Sequence, residues 1–186
     1  TAGAATGITI SAATIPGTIT GNGCSSITAY GVEYSSTPGF PNGTGTPAPG
    51  SNLSGNNFSV SLSGLNSGTP YYYHTYATNN GGTSYSAEGS FTTLTPVLSV
   101  DALTGFGNVC TGTTAGPNSF TITGTNLSAA DVTVAALTGF TFSTDNITYT
   151  ASLSIPQAGG SFSQLIYVKF SPTLEQSYNN NIVIGG

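Results

Sequence analysis

The chain has 186 residues, of which 37% are apolar and only 4% are charged, whereas an average soluble domain carries roughly 25% charged residues. One Lys, no Arg, one His and six acidic residues give a formal net charge of −5. This composition excludes the basic surface that nucleic-acid binding needs and the basic face of a membrane-surface helix. No apolar run approaches the roughly 20 residues that span a bilayer, so we expect no membrane insertion.

Short segments rich in β-branched and aromatic residues, separated by clusters of Gly, Pro, Asn and Ser, run along the whole chain, and helical periodicity is almost absent. In the first half we predict strands near residues 6–13, 15–20, 27–35, 57–62, 71–78 and 84–92. Residues 36–55 hold four Pro and five Gly, which predicts a long loop. The glycine-rich residues 21–23 and 79–83 predict turns. In the second half we predict strands near residues 97–101, 119–123, 132–136, 141–143, 147–155, 162–170 and 181–184.

The best boundary between the two halves is Leu94-Thr95-Pro96. Residues 91–93 have the pattern of a closing strand, Pro96 then removes a backbone donor, and Val97 opens a new alternating run. Short strands with turn signals every 8–12 residues are typical of β-sandwiches. The predicted fold is therefore all-β, with two tandem antiparallel β-sandwiches over residues 1–94 and 95–186.

Residues 64–71 (GLNSGTPY), 77–83 (ATNNGGT) and 91–93 (FTT) together resemble a fibronectin type III domain. The resemblance implies a tyrosine corner made by Leu65 and Tyr71, in which the Tyr hydroxyl bonds to upstream backbone. It also implies that Ala77 packs inward and that Asn79 starts the last hairpin. Residues 27–35 (ITAYGVEYS) match the third strand of versions common in secreted proteins of Gram-negative bacteria. The first strand of the family is expected to be short or missing here.

Residues 106–113 (FGNVCTGT), 120–127 (FTITGTNL) and 139–143 (GFTFS), with residues 167–170 and 177–184, carry a second resemblance. They resemble an immunoglobulin-like module of long, repetitive bacterial surface proteins. This resemblance implies an extracellular location at the bacterial cell surface. In longer members a further strand follows the final Gly-Gly, so that strand is expected to be absent.

An incomplete sandwich leaves unpaired backbone and an open apolar slot, which a strand from a neighbouring molecule can fill. We therefore expect a non-enzymatic structural subunit of an extracellular filament, assembled head-to-tail from copies of itself and carrying glycans as a further possibility. The alternative is a spacer, or a carbohydrate-binding or adhesive module, of a larger secreted enzyme or adhesin. The residues expected to make the strand-donation contacts are Gly7, Ile8, Thr9, Ile10, Ile182, Val183 and Ile184.

The run Tyr71–Ala77 of alternating rings is a candidate contact surface. If Tyr71 and Ala77 face the core, strand alternation turns Tyr72, His74 and Tyr76 outward. Three exposed rings would form a flat patch for a neighbouring subunit or a sugar. The alternative is a cross-strand aromatic ladder that only stabilises the sheet, by roughly 0.2–1 kcal/mol per pair.

Two further features concern covalent modification. Cys24 and Cys110 could form one disulfide, bond to a neighbouring chain, or remain free and buried, and no cluster of Cys and His predicts zinc. Five Asn-x-Ser/Thr sequons are candidate glycosylation sites. They begin at Asn42, Asn52, Asn57, Asn126 and Asn146.

We expect no catalytic site, metal or other cofactor. The acidic residues occur singly, no DxDxDG loop is present, and no Ser–His–Asp triad can be assigned around His74. A paired-carboxylate site would need a large cleft, which two sandwiches are not expected to form. Lys169 is expected to point outward, because Ile166, Val168 and Phe170 alternate with it on the predicted inner face.

Overall fold

A computed structural model describes residues 1–21 and 23–186. The described residues contain strands and turns but no helix, and all strand pairings are antiparallel, so the predicted all-β class is confirmed. The chain divides into two compact units, unit 1 at Thr1–Thr95 and unit 2 at Pro96–Gly186. The predicted turn at residues 21–23 includes Asn22, which lies outside the described residues.

Unit 1 has two sheets. Seven strands are described: β1 (Ala12–Thr18), β2 (Ala29–Ser35), β3 (Thr46–Pro49), β4 (Asn57–Ser63), β5 (Pro70–Asn79), β6 (Gly82–Tyr85) and β7 (Gly89–Thr92). One sheet pairs β1 with β4, and the other has the order β3-β2-β5-β6, with β7 also pairing with β5. Alternate residues of β4 are buried, as expected of a strand with one face on a core. Both sheets contribute to one apolar cluster, which includes Ile15, Val32, Val60 and Tyr73.

Unit 2 also has two sheets. Its strands are β8 (Val97–Val100), β9 (Ala115–Leu127), β10 (Val132–Val134), β11 (Phe140–Ser143), β12 (Leu153–Ile155), β13 (Gly160–Phe170) and β14 (Ile184–Gly185). The larger sheet has the order β11-β13-β9-β8 and the smaller sheet the order β12-β10-β14. Their shared core contains Ile122, Val134, Phe142 and Ile166.

Four strand predictions are wrong, and of the predicted strand at residues 181–184 only Ile184 lies in β14. The other three have local reasons. Residues 6–13 are not one strand, because the Thr9 side chain accepts hydrogen bonds from the backbone of Ser11 and Ala12 and closes a turn there. Residues 147–152 lie outside any strand, because Asp145 caps a turn by accepting from the N–H groups of Ile147 and Thr148. The predicted strand over residues 84–92 is divided into β6 and β7.

The loop predicted over residues 36–55 contains an edge strand, β3. Its sequence Thr-Pro-Ala-Pro argues against a strand, since Pro has no N–H to donate. β3 nevertheless pairs with β2, with Pro47 opposite Glu33 and Pro49 opposite Gly31. An edge strand needs ladder donors on one side only, so Pro is tolerated there.

Candidate subunit-contact edges and an ionisable cluster

The first ten residues of unit 1 lie along the edge of β1. Single bridges join Ala2 to Gly17 and Thr6 to Thr14. Between these bridges three residues of the N-terminal segment, residues 1–10, face two residues of β1, so the segment contains a bulge. Backbone bonds include Gly3 N–H to Pro16 C=O at 2.9 Å and the reciprocal pair between Thr6 and Thr14. Residues 1–11 form no strand and are joined to β1 only by these bridges and bonds, in agreement with the expectation that the first strand is short or missing.

Two features limit how firmly β1 holds this segment. In a regular hydrogen-bonded antiparallel pair, each residue donates one backbone bond to the other. Pro16 has no N–H, so only the bond from the Gly3 N–H to the Pro16 carbonyl forms. Gly7 has a φ of 57°, which breaks extended geometry because only glycine adopts it at little cost. The apolar side chains of Ala2, Ala5 and Ile8 still pack against the core of unit 1. The segment is thus held mainly by side-chain burial and a few hydrogen bonds.

The second candidate edge is β14 in unit 2. β14 pairs with β10 through Thr133–Gly185 and Val134–Ile184, and the Ala135 N–H donates to the Val183 carbonyl. Because backbone groups alternate in an antiparallel ladder, those of Ile182 and Ile184 face away from β10. Within the described residues, β10 is the only strand that pairs with β14.

A groove of about 400 Å³ lies beside this edge. Phe120 and Leu103 line it together with Leu137, Phe140 and the side chain of Ile182. Asp101 is the only ionisable side chain among its lining residues. Val183 alternates with the two isoleucines and is 62% exposed. The edge therefore presents free backbone groups next to an apolar slot, which is the arrangement that strand addition uses.

The aromatic run on β5 is placed differently from its prediction. Tyr71 and Tyr73 face the core as expected, which sends Tyr72, His74 and Tyr76 to the other face. However, His74 is only 8% exposed, and Tyr72 and Tyr76 are half-buried. The prediction of a flat exposed patch is wrong. The reason is the loop over residues 36–45, which places the Phe40 ring 4.9 Å from the His74 ring.

That covered face brings together several ionisable side chains. Glu33 is the direct cross-strand neighbour of His74 and is buried. Glu88 approaches the His74 Nε2 at 3.9 Å, and His74 Nδ1 lies 3.0 Å from the Ser86 carbonyl. Tyr85 completes the group, and its burial, followed by the nearby Glu33 charge, raises the pKa of its phenol.

The two carboxylates fasten the covering loop. Both oxygens of Glu33 accept from the Gly43 N–H, at 2.9 and 3.0 Å. Glu88 Oε2 accepts from the Gly39 N–H at 2.8 Å. Buried carboxylates are tolerated when hydrogen bonds satisfy them. The cluster therefore has a structural role, because its carboxylates hold the loop over residues 36–45 on β5. Within this cluster no nucleophile lies beside an oriented base. No sequence signal could pair Glu33 with His74, because their register depends on how β2 meets β5.

The candidate modification sites have distinct environments. Asn42, Asn52 and Asn146 are exposed, and Asn146 accepts from the Tyr149 hydroxyl at a left-handed φ of 61°. Asn57 begins β4 and accepts from the Thr18 hydroxyl at 2.8 Å. Asn126 is half-buried within β9. Four of the five sequon asparagines, including Asn57, are therefore exposed, and only Asn126 is half-buried.

The remaining predictions concern the two cysteines, Lys169 and a metal site. Cys24 in unit 1 and Cys110 in unit 2 are both free and exposed. The predicted alternative of a free, buried thiol is therefore wrong. Lys169 is half-buried on the outer face of β13, with Nζ 4.0 Å from the Tyr149 ring centroid. Among residues 1–21 and 23–186, no group of three or more His, Cys, Asp or Glu side chains is arranged to hold a metal.

Comparison with known proteins adds no relationship. No protein-family model matches the chain, and no curated protein matches it. In the described part of the chain, no helix is long and apolar enough to cross a membrane.

Proposed function

We propose that this protein is a non-enzymatic subunit of an extracellular bacterial surface filament, in which one copy donates a strand to the next. The observation that carries the proposal is the open edge of β14 beside its apolar groove. An exposed strand edge templates pairing with another chain unless it is covered. Head-to-tail donation does not close on itself and therefore builds a fibre.

Family resemblance supports this interpretation of the edge. In a seven-strand immunoglobulin-like sandwich, one sheet has four strands and the other has three, with the last strand beside its predecessor. The sheets of unit 2 already have four and three strands, but β14 lies next to β10 with no described strand on its other side, which is where a last strand would pair. We therefore assign the groove beside β14 to an additional strand supplied from outside unit 2.

Contacts in unit 1 support its resemblance to a fibronectin type III domain. The Asn66 N–H donates to the Tyr71 hydroxyl at 3.0 Å, and Leu65 is buried beside it, as a tyrosine corner requires. Asn79 pairs with Gly82 at the turn of the β5–β6 hairpin, and Ala77 packs on the core. A surface rich in hydroxyl and amide groups suits a protein that works outside the cell.

We assign the donor role to the N-terminal segment. Its sequence Gly7-Ile8-Thr9-Ile10 places Ile8 and Ile10 on one face when extended, and residues 1–10 carry no charged side chain. The groove is similarly uncharged apart from Asp101. To leave unit 1 the segment must break its backbone bonds, among them the bond from the Thr18 N–H to the Thr1 carbonyl, but its pairing with β1 is bulged and lacks a donor at Pro16. Ile8 and Ile10 would then face the groove.

Fibre formation tests the proposal with one edge variant and one control. Purified chain at high concentration is expected to form fibres visible by negative-stain electron microscopy. Val183→Lys places a charge on the edge at an exposed position, so it should abolish fibres while the monomer stays folded. Ile147→Lys, at the most exposed large apolar side chain, should leave fibres unchanged.

A labelled peptide tests the identity of the donor. A fluorescent peptide with the sequence of residues 1–10 should bind the chain, and Val183→Lys should weaken that binding at least tenfold. The second candidate function is a spacer module, in which a continuation of the same polypeptide closes the β14 edge. Monomeric particles and no peptide binding, from a correctly folded chain, would favour the spacer and overturn the filament proposal.

A further inference from the structure

A second cavity in unit 2, next to the groove beside β14, has the features of a ligand site. It measures about 750 Å³, within the range of roughly 300–1,000 Å³ found for small-molecule sites. Its walls come from residues 101–114 and 171–183, two segments without a strand. Irregular segments of this length are uncommon in compact domains and are usually either functional loops or linkers. The expectation that the fold offers no large cleft is therefore wrong for unit 2.

The two segments are fixed to each other and to the sheet. The Gly112 N–H donates to the Pro172 carbonyl at 2.9 Å, and the hydroxyls of Thr114 and Ser171 lie 2.8 Å apart. The Ser171 N–H donates to the Gly139 carbonyl at 2.7 Å, at the start of β11. The cavity walls are thus held in place before any ligand binds, which reduces the entropy lost on binding.

Aromatic rings form the floor of the cavity. Phe140 stacks on Phe170 with 4.7 Å between ring centroids, and Phe106 contacts both rings. Tyr178 meets Phe170 edge-on at 5.0 Å, and its hydroxyl contacts the backbone of Leu174. Phe106, Phe140 and Tyr178 are only half-buried, so part of their ring surface remains available to a ligand.

Amide side chains form the rim. Asn108, Gln176 and Asn179 line the cavity and are exposed. Within the part of the chain that the structure describes, the side chains of Asn108 and Asn179 make no hydrogen bond. Each amide offers both donors and an acceptor. Glu175 is the only carboxylate on the lining, and no cationic side chain lines it.

We propose that this cavity binds a neutral sugar. Ring faces on the floor suit the C–H face of a pyranose, and paired donors and acceptors on the rim suit its hydroxyls. The absence of a cation among the lining residues favours a neutral ligand over a phosphate or carboxylate, since no charged side chain there could pair with an anion. The cavity shares Leu103 and Phe140 with the groove beside β14, but Asn108, Gln176 and Asn179 on its rim do not line that groove. Sugar binding at the rim therefore does not depend on the filament proposal.

Nuclear magnetic resonance titration of the full chain tests the inference. The probes are the methyl glycosides of glucose, galactose and mannose, N-acetylglucosamine, and inorganic phosphate as the charged comparison. At least one sugar should shift the side-chain amide signals of Asn108 and Asn179 in a saturable manner, and phosphate should not.

Variants locate the binding. The double variant Asn108→Ala, Asn179→Ala alters only exposed side chains and should weaken sugar binding at least tenfold with an unchanged fold. Asn42→Ala, an exposed amide in unit 1, is the matched control and should bind as the parent chain does. The inference is overturned if none of the four sugars binds, if phosphate alone binds, or if the double variant binds as tightly as the control.

Discussion

The Tyr73 hydroxyl donates a hydrogen bond of 2.8 Å to the carbonyl of Gly3, 70 positions earlier in the chain. Tyr73 lies on β5, whereas the N-terminal segment pairs with β1, which belongs to the other sheet of unit 1. The bond therefore ties the segment to both sheets. Donation of residues 1–10 to another molecule must break this bond, so Tyr73 is one of the residues that hold the segment on unit 1.

Tyr73→Phe removes this bond and keeps the ring, which lies 6.1 Å from Phe91. The free energy of unfolding should fall by about 1 kcal/mol, the usual net value of one hydrogen bond. Hydrogen exchange at the amides of Gly3 and Thr6 should accelerate more than exchange in β4. Tyr72→Phe serves as the control, since Tyr72 is half-buried on the other face of β5. Equal exchange in both variants would show that Tyr73 does not hold the segment.

Alkaline pH should weaken unit 1 through the same side chain. Burial raises the pKa of the Tyr73 phenol above its ordinary value of 10.0, and a hydrogen bond from the Ala5 backbone opposes the shift. A folded-state pKa above the unfolded one gives stability that is complete below pH 10 and is lost as pH rises through the folded-state value. Urea unfolding at a series of alkaline pH values should therefore show a smaller decline for Tyr73→Phe than for the parent chain. Parallel declines would contradict this assignment.

Glu33→Ala should destabilise unit 1 by about 1–3 kcal/mol, because the Gly43 N–H loses both oxygens of a buried charged acceptor. Glu33→Gln should cost less, since its amide oxygen can still accept one bond. Urea denaturation measures both changes, and exchange at Gly43 reports on the loop. The exposed Glu175→Ala is the control and should change stability by less than about 0.5 kcal/mol.

The folded chain should resist trypsin. Lys169 is its only Lys or Arg, and it lies in β13, which pairs with β11 on one side and with β9 on the other. Proteases cleave extended segments that leave the sheet, so cutting requires unfolding of unit 2. Mass spectrometry should find one cleavage in urea and none in buffer at the same enzyme ratio. Rapid cleavage in buffer would show that β13 opens locally.

Local patterns identified several elements well. The alternation in residues 57–62 and 71–78 predicted β4 and β5 to within about two residues, because one face of each strand packs on the core. Alternation also correctly placed Tyr71 and Ala77 inward on β5 and Lys169 outward on β13. These predictions depend only on which face of a strand each side chain occupies.

Other features depended on contacts between distant segments. Nothing near His74 in the sequence indicates that Phe40 covers it or that Glu33 lies opposite. Likewise, the edge pairing of β3 overrode its two prolines, and the residues on both sides of the 750 Å³ cavity come from opposite ends of unit 2.

The amino-acid sequence alone determined that the chain is all-β and poor in charge, because strand periodicity and composition are local properties. Only the tertiary structure decided which strand edges and rings are covered and which remain open, since burial depends on the segments that meet in space. In the folded chain β14 pairs with one strand only, and the Phe40 loop covers His74. The proposed strand donation depends on the open edge of β14.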